Sequence, residues 1–122
     1  MLKLEELKVY ELGMGIGNLV WHYVREWDFF NRDTLGKQIV RSADSIALNI
    51  SEGYGRFNFA EKRVFLYYSR GSAFETRTAL VKANQRSLIR DSDFSLLMLK
   101  LDQFVYSLNS YIKSINNLKI KS

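Results

Sequence analysis

The sequence predicts an all-α protein, an antiparallel up-down four-helix bundle formed by one domain that spans residues 1–122. Apolar residues recur at three- and four-residue steps over most of the chain, which is the period of an amphipathic helix. Strand signals are weak, because neither an Asn-Gly hairpin nor a sustained alternation of apolar and polar residues occurs. The four long helical patterns are joined by short loops, which favours antiparallel neighbours.

The first helix is predicted at about residues 4–27. The segment GMGIG (residues 13–17) interrupts its pattern, and each glycine in a helix interior costs about 1 kcal/mol relative to alanine, so we expect a possible bend there. The loop FFNRD follows. The second helix is predicted at about residues 34–52, with Asp33 or Thr34 as its N-cap.

The third helix is predicted at about residues 59–87, with Asn58 as the N-cap and Glu61 as its capping-box partner. The fourth is predicted at about residues 93–117. The third helix is apolar or small on most of its circumference, which is typical of a helix that is buried on more than one side. We therefore expect the chain to form oligomers; ordinary exposed tyrosines are the alternative interpretation.

The segment QIVRSADSIALNISEGYGR (residues 38–56) carries an apolar side and a second, polar side. Serine and asparagine are poor helix formers, so a line of them within a helix indicates a contact surface rather than a solvated face. With two residues of the third helix, this line forms a structural polar seam: Gln38, Arg41, Ser45, Asn49, Glu52, Ser72 and Glu75.

A hairpin of the second and third helices around Phe57 places Arg41 opposite Glu75, and Glu52 opposite Lys62 or Arg63. We predict that Arg41 and Glu75 form a buried or half-buried ion pair, which would specify the register more than it would add stability. The alternative is a loose surface pair worth about 0–1 kcal/mol.

The net charge of +5 and the pI of about 9.5 permit binding to nucleic acid without requiring it. Arginines recur every seven residues, at positions 56, 63, 70 and 77, with Tyr67 and Phe74 beside them. Because arginine contacts phosphates and aromatic rings stack on bases, the predicted nucleic-acid-binding residues are Arg56, Lys62, Arg63, Arg70 and Arg77. The alternative is that these side chains form cation–π contacts at an interface, or are simply solvated.

We predict no enzyme, no cofactor and no metal site. The segment GMGIG lacks the strand and the third glycine of a dinucleotide-binding loop, and the single histidine, His22, has no metal-ligand or nucleophile spacing around it. The absence of cysteine excludes disulfides. The sequence also lacks a signal-peptide pattern and an apolar run long enough to span a membrane, so we expect a cytoplasmic protein with no membrane partner.

The polar segment also carries a family resemblance. It is similar to the pattern Q-x-x-R-A-x-x-S-I-x-x-N-I-A-E-G-x-x-R, followed by F-L-x-x-A-x-G-S-x-x-E, of the bacterial four-helix bundle proteins related to the 23S rRNA intervening-sequence proteins. The matching residues are Gln38, Arg41, Ser45, Ile46, Asn49, Ile50, Glu52, Gly53, Arg56, Phe65, Leu66, Gly71, Ser72 and Glu75. Ala47 stands where the family often has proline, and Ser42 and Ser51 replace common alanines.

This resemblance implies a protomer that assembles into a ring-like homopentamer around a central channel. Some relatives are encoded within rRNA genes, and others are accessory proteins of retroelements that bind nucleic acid and a reverse transcriptase. Two functions therefore stay open: an oligomer that binds structured RNA or DNA through basic surfaces, or a protein–protein adaptor, for example of a reverse transcriptase, with no nucleic-acid contact.

Overall fold

The computed structural model describes residues 2–121, and it describes the side chains of residues 2–118. Four long helices account for most of this range: α1 (Lys8–Val24), α2 (Lys37–Tyr54), α3 (Phe59–Gln85) and α4 (Asp91–Lys121). Each helix packs against the next along the chain, and α4 closes the bundle by packing against α1. No strand occurs in residues 2–121, so the prediction of an all-α four-helix bundle is confirmed.

The first helix is shorter than predicted but is not broken by its glycines. A 3-10 turn at Leu4–Glu6 precedes α1, which runs through GMGIG without interruption. A Cβ atom on Gly13 would lie 3.1 Å from Cγ2 of Ile46 and 3.3 Å from the backbone nitrogen of Ala47, so this glycine allows α1 to approach α2 closely.

The second part of the connection between α1 and α2, from Phe29 to Gly36, is helical, and the prediction of Asp33 or Thr34 as N-cap is wrong. Asp28 is the cap, because its Oδ1 accepts a hydrogen bond of 3.1 Å from the backbone nitrogen of Asn31. A short turn at Phe29–Asn31 continues into a π-helical turn at Arg32–Gly36 and then into α2. Asp33 and Thr34 thus lie within helical turns, where they cannot begin the helix.

The N-terminus of α3 confirms Asn58 as the N-cap. Its Oδ1 accepts hydrogen bonds from the backbone nitrogens of Ala60 and Glu61, at 2.7 and 3.2 Å. The turn after α3 places Ser87 in the left-handed region, with φ of 58°, and α4 then begins at Asp91.

The core contains large aliphatic side chains from all four helices, with Phe104 of α4 fully buried among them. The contact between α2 and α3 is different, because small hydroxyl residues are buried there. Ser69 donates a 2.7 Å hydrogen bond to the carbonyl oxygen of Ile46, and the hydroxyls of Ser42 and Thr76 bond to each other. Small side chains let the two helix axes approach closely. None of the helices in the described range is long and apolar enough to cross a membrane.

Candidate nucleic-acid interface

Three of the predicted arginines reach across the surface from α3 to α4. We call these three pairs the arginine ladder, in which each guanidinium donates a hydrogen bond to a side chain of α4. The pairs are Arg63 Nη1 with Asn116 Oδ1 at 3.3 Å, Arg70 Nη1 with Asn109 Oδ1 at 2.7 Å, and Arg77 Nη1 with Asp102 Oδ1 at 2.6 Å. Both sets recur every seven residues, in opposite chain directions, so antiparallel packing aligns all three pairs.

The charge along the arginine ladder is uneven. Arg77 forms an ion pair with Asp102, whereas Arg63 and Arg70 bond to neutral amides and keep their full positive charge. A guanidinium has five N–H donors, so a single bond to α4 leaves most of them available. The ladder therefore offers phosphate two oriented cations, at Arg63 and Arg70, and one that is partly neutralised.

Two aromatic side chains lie beside the ladder on the outer surface of α3. Tyr67 and Phe74 are 45% and 53% exposed. The guanidinium carbon of Arg70 lies 5.0 Å from the ring centroid of Tyr67, which is a cation–π contact within the protomer. The aromatic surface is thus accessible, and one of its rings already orients an arginine.

The other two predicted cations lie at the α2–α3 turn, away from the ladder. Arg56 pairs with Oε2 of Glu52 at 3.2 Å and stacks on the ring of Phe65 at 4.7 Å. The hairpin register itself is confirmed, because a Cβ atom on Gly53 would lie 3.2 Å from the carbonyl oxygen of Lys62. The Glu52 carboxylate nevertheless pairs with Arg56 and not with Lys62 or Arg63. The Nζ atom of Lys62 donates instead to two carbonyl oxygens of the last turn of α2, at 3.2 and 3.4 Å, where the helix dipole favours a cation.

The polar seam lies along the edge of α2 that faces α3. Ser45, Asn49 and Ser72 are half-buried, and Nδ2 of Asn49 donates to both the carbonyl oxygen and the hydroxyl of Ser45, at 2.9 and 3.1 Å. Gln38, Arg41, Glu52 and Glu75 are exposed. In the protomer the seam is therefore an open edge with charged ends.

The predicted ion pair between Arg41 and Glu75 is wrong. Both residues are exposed, and they form no ion pair with each other in the range whose side chains are described. The reason lies in the buried hydroxyls of Ser42, Ser69 and Thr76, which occupy the contact between the two helices. The longer charged side chains lie outside that contact and extend into solvent.

Within the described residues, no cluster of three or more His, Asp and Glu side chains could hold a metal ion. His22 is exposed and packs edge-on against the ring of Tyr23 at 5.4 Å. The hydroxyl of Tyr23 donates to Oδ1 of Asp93 at 3.3 Å, and burial together with this carboxylate raises the pKa of Tyr23. This contact links α1 to α4.

A second basic surface, between α1 and α2, was not predicted from the sequence. Arg25, Arg32, Lys37 and Arg41 line a groove between α1 and α2, next to Trp21. The segment WHYVREWDFFNRDTLGK contained this signal as exposed aromatic residues interleaved with cations, but no regular spacing marks it. Only the packing of the connecting turns brings these side chains together.

The family model described as 23S rRNA-intervening sequence protein matches residues 5–110, which is most of the chain. The chain belongs to this family. The matched range contains the whole polar seam and every residue of the arginine ladder except Asn116. The resemblance expected from the central motif is therefore confirmed.

A solved structure of a member of the S23 ribosomal protein family is similar to this intervening-sequence family protein. It is the crystal structure of a protein with unknown function from Bacteroides thetaiotaomicron VPI-5482, with a TM-score of 0.77 and 21% sequence identity. The alignment covers 86% of this chain and 98% of that one. At this identity the likeness shows the shared fold. No curated protein matches the chain.

Proposed function

We propose that this chain is a cytoplasmic, non-catalytic protein that assembles into a ring-like homopentamer and binds structured RNA or DNA. The observation that carries the proposal is the arginine ladder. Arg63 and Arg70 are held in position by the neutral amides of Asn116 and Asn109, so they are oriented without being neutralised. A cation that is already positioned loses less conformational entropy when it binds a phosphate.

The exposed aromatic rings of Tyr67 and Phe74 support the same interface. Base–aromatic stacking tolerates any sequence, because every base has a flat face. The amide oxygens of Asn109 and Asn116 already accept hydrogen bonds from the ladder arginines, so in this arrangement they are not free for the bidentate contact that an asparagine makes with a base. We therefore expect recognition of backbone and shape, with little preference for sequence.

Assembly is supported by apolar side chains that the protomer leaves exposed near the polar seam. Leu48 of α2 and Tyr68 of α3 are 64% and 57% exposed, and Arg41 and Glu75 have no ion-pair partner among the described side chains. A seam with apolar and charged groups of both signs is suited to a neighbouring copy of the same chain. Light scattering at micromolar concentration tests this, and a monomer there contradicts it.

The adaptor hypothesis is the second candidate, and the Arg70–Tyr67 contact favours it. Arginine and tyrosine are enriched in protein interfaces, and a stacked pair of this kind is as suited to a protein surface as to a base. In that case the partner is another protein, for example a reverse transcriptase. A pull-down that enriches one protein and survives nuclease treatment would favour this hypothesis.

A gel-shift series tests the nucleic-acid proposal. Wild-type protein is titrated onto structured RNA and duplex DNA at about 50 mM and about 200 mM salt, because release of counterions makes phosphate binding salt-sensitive. The variant Arg63→Glu with Arg70→Glu should lose the shift and keep the assembly seen by light scattering.

The control variant is Arg86→Glu with Arg90→Glu, which changes the net charge equally at exposed positions between α3 and α4. It should bind more tightly than the ladder variant. The proposal is overturned if wild type gives no shift at low salt, or if both double variants weaken binding equally. If the ladder variant fails to assemble, the arginines belong to a subunit interface.

A further inference from the structure

The groove between α1 and α2 has an apolar floor with one large aromatic side chain. Its volume is about 440 Å³, and Trp21, Val24 and Val40 contribute its apolar surface. Trp21 is 58% exposed, which is unusual for a residue that a core would readily accept. The groove thus combines a solvent-exposed indole side chain with a recess of a size suited to one small ligand.

The groove is bordered by a close contact between α1 and the turn that leads into α2. Gly36 ends the π-helical turn Arg32–Gly36 and also lines the groove. A Cβ atom there would lie 2.9 Å from Cγ1 of Val24 and 3.1 Å from the carbonyl oxygen of Asn31, so any larger residue would displace the packing. π-helical turns are rare and occur frequently at functional sites.

The rim of the groove carries four cations and no acidic side chain. Arg25 and Lys37 form exposed ion pairs with Glu26 and Asp33, at 3.4 and 2.9 Å, and both acids lie outside the groove lining. Arg32 makes no ion pair or side-chain hydrogen bond within residues 2–118. Arg41 also belongs to the polar seam that is proposed to contact a neighbouring copy, so the phosphate contact is assigned to Arg32. The groove therefore combines an aromatic floor with an excess of positive charge.

We propose that this groove binds a nucleotide unit, with its base stacked on Trp21 and its phosphate at the Arg32 side of the rim. A phosphate without a base would leave the indole face unused, and an apolar ligand would leave the cations uncompensated. A nucleotide matches both features. The lining offers no carboxylate or amide side chain for base edges, and the proposal assigns its cations to phosphate, so we expect stacking to set the preference among bases.

The source of the nucleotide is either a free nucleotide or one unit of a single strand. The site does not depend on the arginine ladder, because the groove lies between α1 and α2 and the ladder between α3 and α4. A variant that abolishes binding at the groove should leave binding at the arginine ladder unchanged, so the two proposals are tested separately.

Tryptophan fluorescence tests the site, since Trp27 is 9% exposed and Trp21 is the accessible reporter. Adenosine monophosphate, a short single-stranded oligoadenylate, ribose 5-phosphate and a Glu/Leu-rich acidic peptide are titrated in turn. We expect saturable quenching by the oligoadenylate, and none by ribose 5-phosphate. Quenching by the monophosphate as well identifies a free-nucleotide site, whereas quenching by the strand alone identifies a site for polymer.

Three variants separate the site from its surroundings. Trp21→Phe removes the reporter, so the remaining emission of Trp27 should not respond to the ligand, which assigns the signal to Trp21. Arg25→Gln with Arg32→Gln keeps the reporter and should weaken binding by about tenfold or more. The matched control, Arg86→Gln with Arg90→Gln, should bind as wild type does. Circular dichroism confirms that each variant is folded. The proposal is overturned if neither adenosine ligand quenches, if the two arginine variants weaken equally, or if only the acidic peptide binds.

Discussion

The hydroxyl oxygens of Ser42 and Thr76 lie 2.9 Å apart in a hydrogen bond that joins α2 to α3 inside the bundle. Both residues are almost completely buried, and each has a second partner: Ser42 Oγ lies 3.1 Å from the carbonyl oxygen of Ile39, and Thr76 Oγ1 lies 2.8 Å from that of Ser72. Every buried side-chain polar atom in the described range has such a partner. Small hydroxyl residues thus permit close packing without leaving a polar group unsatisfied.

Replacing Thr76 by valine should lower the free energy of unfolding by about 1 kcal/mol, because the shape is kept while the hydroxyl loses its contacts with Ser42 and with the carbonyl oxygen of Ser72. Urea titration measures the change. Thr78→Val is the matched control, since Thr78 is exposed on the same helix, and it should change stability less. A double-mutant cycle with Ser42→Ala should show coupling, and additive effects would contradict the role of this bond.

The glycines of α1 should respond in opposite directions to the same substitution. Gly13→Ala places a Cβ atom 3.1 Å from Ile46 and should destabilise the protein by about 1–3 kcal/mol. Gly15→Ala meets no atom within 4 Å and should stabilise it by up to about 1 kcal/mol, through helix propensity alone. Denaturant midpoints decide the matter, and a shift of the same sign in both variants would contradict the close approach of α1 to α2.

The features that the sequence predicted correctly are those that depend on neighbours along the chain. Apolar periodicity identified the helices, and Asn58 was predicted as a cap from its residue type and from Glu61 three residues on. The backbone nitrogens of Ala60 and Glu61 do bond to it, as a cap requires. The start of the second helix was missed for a physical reason. Gly36 packs against Val24 and Trp27, and this tertiary contact favours continuous helical turns over a break at Asp33.

The candidate site was predictable in part. The seven-residue spacing of Arg63, Arg70 and Arg77 identified a line on α3, but their partners belong to α4, so only the relative rotation of the two helices brings the pairs together. The predicted Arg41–Glu75 ion pair, in contrast, does not form although the register places the two positions opposite each other. A hairpin register places two backbones side by side, but it does not direct long side chains toward each other when small residues fill the contact.

Asp44 should make stability depend on pH. Its carboxylate lies over Gly17, with Oδ1 2.9 Å from the position that a Cβ atom would take there, and burial raises the pKa of Asp44. A raised pKa means that the folded state binds this proton more tightly than the unfolded state does. The contribution of Asp44 is therefore most favourable below its ordinary pKa, and it is lost as the pH rises through the raised value.

Asp44→Asn should accordingly stabilise the protein at about pH 7, and its advantage should shrink at about pH 3, where the wild-type carboxyl is protonated. Thermal unfolding at the two pH values measures this difference. Glu11→Gln, which removes an exposed carboxylate from α1, serves as the control and should show no comparable gain. A benefit of Asp44→Asn that is equal at both pH values would assign the effect to packing rather than to charge.

Asp102→Asn should strengthen nucleic-acid binding if the arginine ladder is the interface. The amide can still accept a hydrogen bond from Arg77, as Asn109 does from Arg70, so the geometry is kept while a competing negative charge is removed. The stability change should stay within about 1 kcal/mol, because the Arg77–Asp102 pair is on the surface, with side chains 39% and 62% exposed.

Fluorescence anisotropy at several salt concentrations gives both the affinity and its salt dependence. If Arg77 gains a phosphate contact, the slope of log K against log salt should steepen by roughly one. Glu11→Gln makes the same change in net charge at an exposed position of α1 that is not part of the ladder. An equal gain in affinity from both variants would mean that only the overall charge matters, and the ladder would then not be the surface that contacts phosphate.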